Sequence, residues 1–91
     1  MVKCLKIKIY GRVQGVSFRY FAKQKADELG LCGWARNEND GAVYIEAEGE
    51  EEKLKQFLDY CRQGPRWARI EKVDYEYGEK LKKYKNFGYE F

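Results

Sequence analysis

The order in which hydrophobic periodicities follow one another along this chain leaves few folds open to it. Residues 2–10 alternate, with Leu5, Ile7 and Ile9 on one side and Lys6, Lys8 and Tyr10 on the other, the two-residue repeat of a strand with one buried face. Gly11 and Gly15 break that strand. Phe18, Phe21, Ala22, Lys25, Ala26 and Leu29 then recur at three- and four-residue steps, a helical stripe in which Lys25 contributes its aliphatic stem. Gly30 stands where a left-handed helix end is wanted. A second strand is expected over 31–36 and a third over 42–48, where Val43, Ile45 and Ala47 face inward and Tyr44, Glu46 and Glu48 outward. The turn 37–41, with its Asp40-Gly41 pair, makes these two a hairpin. Leu54, Phe57, Leu58 and Cys61 mark a second helix over 50–63, acidic in its first turn, and Gly64-Pro65 stops it. A fourth strand is expected over 68–77, a solvated lysine-rich loop over 79–85, and a short last strand carrying Phe87, Tyr89 and Phe91.

Strand, helix, strand, strand, helix, strand, with one strand appended, is the split βαβ or ferredoxin-like sandwich. It is an α+β fold, and the expectation is an antiparallel sheet with two helices on one face. Ninety-one residues, with no linker or repeat among them, make a single domain over 1–91. Many unrelated functions use this architecture, so the fold alone does not name the chemistry.

Composition removes whole classes of chemistry. The chain has no histidine, which rules out Ser-His-Asp and Cys-His triads, HExxH zinc sites and Cys2His2 fingers. Its three cysteines, Cys4, Cys32 and Cys61, form no CxxC pair and are read as buried thiols in a reducing compartment. A net charge of +3 with both signs interspersed is too weak to imply nucleic acid. No segment is long and apolar enough to span a membrane, and the first residues do not lead into a signal peptide, so a cytoplasmic location is expected.

The first two strands run parallel in this topology and end at the same rim of the sheet. With the third strand between them, their ends lie about 10 Å apart. One end leads into Gly11-Arg12-Val13-Gln14-Gly15-Val16-Ser17-Phe18-Arg19, and the other is Asn37. Gly15 permits close backbone approach, and the amides of Gln14, Gly15, Val16, Ser17, Phe18 and Arg19 can turn toward one point at the start of a helix, where an anion is favoured. Arg19 adds a bidentate guanidinium. On these residues alone, an anion cradle and an ordinary strand-to-helix loop with a surface arginine both remain open. Likewise, Asn37 can serve a site or simply shape the turn. Ser17 reads as a helix N-cap rather than a nucleophile, because no base accompanies it. Arg12 and Arg36 read as solvated or structural. Glu38 and Asp40 are turn residues that would repel an anion, and Tyr20, Trp34 and Trp67 are candidates to edge the site.

The loop from Gly11 to Arg19, followed by Gly33-Trp34-Ala35-Arg36-Asn37 and Asp40-Gly41-Ala42-Val43, resembles the two signature segments of the acylphosphatase family. The likeness extends over nearly the whole chain. It departs at Ser17, a position often Gly or Cys in the family. What the resemblance implies is hydrolysis of a small-molecule acyl phosphate to a carboxylate and phosphate, by a monomer that needs no metal or cofactor. It implies that Arg19 and the loop amides of 14–19 bind phosphate or sulfate-like anions, and that Asn37 holds the attacking water. The chemistry suits an inventory without histidine. The leaving carboxylate has a conjugate acid of pKa near 4 and departs unprotonated, so positioning and charge stabilisation are what the site must supply.

Three other readings compete with this one, of which a small-molecule binding module that keeps the anion cradle and has lost turnover has only Ser17 pointing to it. The acylphosphatase-like domain of hydrogenase-maturation carbamoyltransferases heads a much longer chain, and is disfavoured on that ground. An RNA-recognition fold would stack bases on the open face of the first and third strands. Here Glu46 and Glu48 stand there beside Lys6, Lys8, Tyr10 and Tyr44, so no nucleic-acid partner is expected.

Overall fold

In a computed structural model, which describes residues 1–90, the elements follow the expected order. They are β1 (Val2–Arg12), α1 (Phe18–Leu29), β2 (Cys32–Asn37), β3 (Val43–Glu50), α2 (Glu51–Gln63), β4 (Arg69–Gly78) and β5 (Phe87–Glu90). Phe91, expected to continue the last alternation, lies outside the described residues. The strands form one sheet in the order β4-β1-β3-β2-β5. β1 pairs antiparallel with β3 and β4, and β2 pairs antiparallel with β3. The parallel relation of β1 and β2, with β3 between them, is therefore as the element order implied.

The inward residues of the strands meet the helices in one layer. Leu5, Ile7 and Ile9 of β1 and Val43, Ile45 and Ala47 of β3 pack with Phe18, Ala22 and Ala26 of α1 and Leu54, Phe57 and Cys61 of α2, all 0–1% exposed. Burying a side chain of Leu, Ile or Phe size is worth about 1.5–3 kcal/mol, which makes this layer the main source of stability. Burial also pushes the Cys61 thiol well above its ordinary range, leaving it an inert core group. Gly30 closes α1 in the left-handed conformation (φ 72°). The amide of Leu31 donates to the carbonyl of Ala26 at 2.8 Å, which satisfies an orphan carbonyl of the last turn.

Three expectations are corrected. Gly11 does not end the first strand: the register with β4 shifts between Tyr10 and Gly11, and the strand continues to Arg12 through a bulge. Gly11 sits there at φ 129°, and a Cβ would collide with the Arg69 carbonyl oxygen. The sheet is mixed rather than wholly antiparallel, because β5 runs parallel to β2 at the edge opposite β4. The chain reverses after β4 and crosses the open face of the sheet to reach that edge.

The crossing segment, residues 79–86, is not a free loop. The Glu48 carboxylate, 7% exposed, accepts the backbone amides of Lys82 at 2.6 Å and Tyr84 at 3.3 Å. The Tyr84 hydroxyl donates to Glu46 at 3.0 Å and accepts from Trp34 Nε1 at 3.1 Å. Outward-facing glutamates thus anchor a strap across the sheet.

Candidate active site

The loop between β1 and α1 owes its shape to three residues. Val13 is buried at 1% exposure and ties the loop to the core. Gly15 (φ 74°) and Ser17 (φ 62°, ψ 25°) both adopt the left-handed conformation. Left-handed residues beside right-handed ones turn successive N–H groups into one concavity, the arrangement that holds phosphates elsewhere. Space above Gly15 is open to 4 Å, so an anion can approach the backbone there. Ser17 holds the N-cap position of α1 as expected, but its hydroxyl caps nothing. Side-chain capping needs an extended backbone at that residue, and the left-handed turn directs the chain otherwise.

This loop meets the end of β2 in a cavity of about 420 Å³. Gly15, Ser17, Phe18 and Arg19 line it from the loop and first turn of α1, and Asn37 lines it from the last position of β2. Val13, Tyr20 and Tyr89 complete the wall. Among the described residues that line the cavity, Arg19 is the one charged side chain. Its guanidinium carbon lies 5.7 Å from the centre of the Tyr89 ring. Gln14 and Val16, two of the six positions whose amides the sequence nominated, do not line the cavity; Val16 instead packs against the core.

The role of Gln14 is one that sequence reasoning missed. Its side-chain amide donates to the carbonyl oxygens of Glu38 at 2.7 Å and Ala42 at 2.9 Å. The loop that leads into Arg19 and the turn that follows Asn37 are thereby tied together. The turn is closed by Glu38 N–H donating to Ala42 O at 2.8 Å and Ala42 N–H donating to the Asp40 carboxylate at 3.1 Å. A glutamine in a loop carries no periodic signal, and only its partners reveal it as a brace.

The acidic residues of the turn are engaged elsewhere. Glu38 pairs with Arg36 at 3.0 Å, and Asp40 pairs with Lys8 at 3.0 Å. The Lys8 hydrogen bond holds the Asp40 carboxyl below its usual range, helped by the Ala42 amide. Arg36 is structural, as expected: its guanidinium lies over Trp34 and Tyr44, 5.1 and 5.5 Å from the ring centres. Trp34 is also turned to the outer face, where it meets Tyr84. Trp67 is 69% exposed beside Arg66 and does not line the cavity. Of the three aromatic candidates, only Tyr20 edges the site. Among the described residues, no three His, Cys, Asp or Glu side chains gather in a metal-binding arrangement, so the cavity offers backbone donors, one guanidinium and a carboxamide.

Comparison with known proteins gives the family. The Acylphosphatase family model matches residues 5–89. An acylphosphatase of Thermus thermophilus is 54% identical over 71 residues, which is 78% of this chain and 81% of that protein. The crystal structure of acylphosphatase from Bacillus subtilis superposes with a TM-score of 0.95 at 34% identity, covering 100% of both chains. Full-length HypF, solved in a phosphate- and nucleotide-bound form, contains a like region: TM-score 0.91 at 32% identity, over 100% of this chain and 12% of that one. With a family match spanning nearly every element, and relatives and a solved structure of that family covering most or all of the chain, this chain belongs to the acylphosphatase family.

Proposed function

We propose that this protein hydrolyses acyl phosphates, with Arg19 and the loop amides holding the phosphoryl group and Asn37 placing the water. The observation that carries the assignment of residues is that Arg19 and Asn37, 18 positions apart on different elements, line one cavity beside a loop bent by two left-handed residues. The phosphoryl oxygens sit against N–H donors at the start of α1, where the helix dipole adds to the positive charge of Arg19. Asn37 is neutral and holds the water by hydrogen bonds rather than deprotonating it. The water oxygen bonds to phosphorus as the bond from phosphorus to the bridging oxygen breaks. That oxygen's electron pair leaves with the carboxylate, and the water proton passes to a phosphate oxygen.

A phosphate monoester, whose alkoxide leaves poorly, is a poor substrate for such a site. Free cysteines at 4, 32 and 61 suit a reducing cytoplasm, and a small cavity lined by residues of one chain suits a monomer acting on a free small molecule. The test is hydrolysis of benzoyl phosphate in excess chelator, beside p-nitrophenyl phosphate. Turnover of the first and not the second supports the proposal. A rate on benzoyl phosphate no greater than background defeats it.

A further inference from the structure

Two aromatic rings stand at the mouth of the anion cradle without being used to build the core. Tyr20 is 52% exposed and Tyr89 39% exposed, whereas Phe18, Phe57 and Phe87 are buried. Both tyrosines are held in place from beneath. The Tyr20 hydroxyl accepts from Gln24 Nε2 at 3.0 Å, and its ring meets Phe21 edge-on at 5.2 Å. Tyr89 rests against the Arg19 guanidinium. Each has its bearing set by a neighbour, and each lines the cavity while remaining partly exposed.

Their positions in the fold place them on the way out of the cradle. Tyr20 lies in the first turn of α1. Tyr89 lies in β5, the last strand of the sheet on that side, level with Ala35 and on its helix-facing surface. Among the described residues β5 is the edge of the sheet, and Tyr89 brings that edge into the wall of the cavity. At about 420 Å³ it is in the size range that takes a whole small molecule, and a phosphoryl group at Arg19 fills only part of it. The remaining wall has no charged side chain among the described residues.

We infer that Tyr20 and Tyr89 form the subsite for the acyl group, and that this enzyme favours acyl phosphates with flat or apolar, uncharged acyl groups over short ones. The inference rests on the hydrolytic reading above and specifies its substrate class. The acyl carbon is joined to the phosphoryl group through one oxygen, so the acyl group must lie beside whatever borders the cradle. Two partly exposed rings there gain apolar contact with an aryl or long acyl chain and little with acetyl.

The test compares kcat/KM for benzoyl phosphate and acetyl phosphate in the wild type, Tyr20→Ala and Tyr89→Ala, with Tyr89→Phe as the conservative control. In Tyr20→Ala the benzoyl-to-acetyl ratio is expected to fall about five- to tenfold, through KM more than kcat. Tyr89→Ala loses activity on both substrates through its contact with Arg19, yet the ratio falls as well, and Tyr89→Phe restores it. The same variants are titrated with benzoylphosphonate and acetylphosphonate, which bind without turnover. Selective loss of benzoylphosphonate affinity supports the subsite even if neither phosphate is hydrolysed, which separates this inference from the catalytic one. An unchanged ratio, or equal weakening of both phosphonates, overturns it.

Discussion

Gln14 is braced against Ala42, its side-chain amide donating to that residue's carbonyl oxygen at 2.9 Å and to the Glu38 carbonyl at 2.7 Å. The two halves of the cavity are set against each other by these bonds. Gln14→Ala is expected to lower stability by about 1–2 kcal/mol, the worth of two such hydrogen bonds. Because Asn37 adjoins the braced turn while Arg19 belongs to the helix, kcat should fall about tenfold with little change in inhibition by inorganic phosphate. Urea denaturation and steady-state kinetics with phosphate as inhibitor check both halves.

Removing the guanidinium and removing the carboxamide should have different kinetic signatures. Arg19→Ala takes away a charge-assisted contact to the phosphoryl group, so phosphate affinity falls by about 10- to 100-fold and turnover is lost with it. Asn37→Ala takes away water placement alone. Phosphate affinity then stays within about twofold while kcat drops by about 100-fold or more. Isothermal titration with phosphate, beside benzoyl phosphate kinetics, separates the two; full activity in Asn37→Ala would remove its assigned role.

Ser17 holds a left-handed conformation, φ 62° and ψ 25°, without using its hydroxyl as a cap. A residue with a Cβ is disfavoured there by roughly 1 kcal/mol, and glycine is not. Ser17→Gly should therefore raise stability by up to about 1 kcal/mol and keep the cradle working. Ser17→Ala should retain most activity, since the backbone amide is the functional group. Abolished turnover in Ser17→Ala would call for a covalent role instead.

The strap across the sheet predicts a response to acid. Burial pushes the Glu46 carboxyl up, but hydrogen bonds from the Tyr44 and Tyr84 hydroxyls, with the Lys82 charge, together hold it below its usual value of 4.5. A group whose pKa is lower in the folded state contributes fully above its unfolded value, and that contribution is lost as pH falls through the folded value. The stability difference between wild type and Glu46→Gln should thus be level near neutrality and shrink below about pH 4.5. Thermal unfolding of both proteins from about pH 6 to about pH 3 tests the sign; a difference that grows on acidification would contradict it.

The order of the elements was legible because each carries its own period. Leu5, Ile7 and Ile9 can bury one face only as a strand, and Leu54, Phe57, Leu58 and Cys61 only as a helix. The meeting of Arg19 and Asn37 followed from topology, since two parallel strands must end at one rim. Side-chain links between distant segments were not legible. Gln14 finds carbonyls 24 and 28 residues away, and Glu48 finds amides 34 and 36 residues away. Local pattern says nothing of such partners, so segment 79–85 reads as solvated until Glu48 is seen holding it. The bulge at Gly11 was hidden for the same reason: the atom that forbids a Cβ there belongs to Arg69.

The pairing of β1 also bears on the folding of the molecule. β1 finds its neighbours in β3 and β4, and the latter ends only at Gly78. Leu5, Ile7 and Ile9 therefore lack their full cover until strands far along the sequence have paired beside them. Completion of the sheet thus waits on contacts between distant parts of the sequence, which slows folding relative to a fold of local contacts.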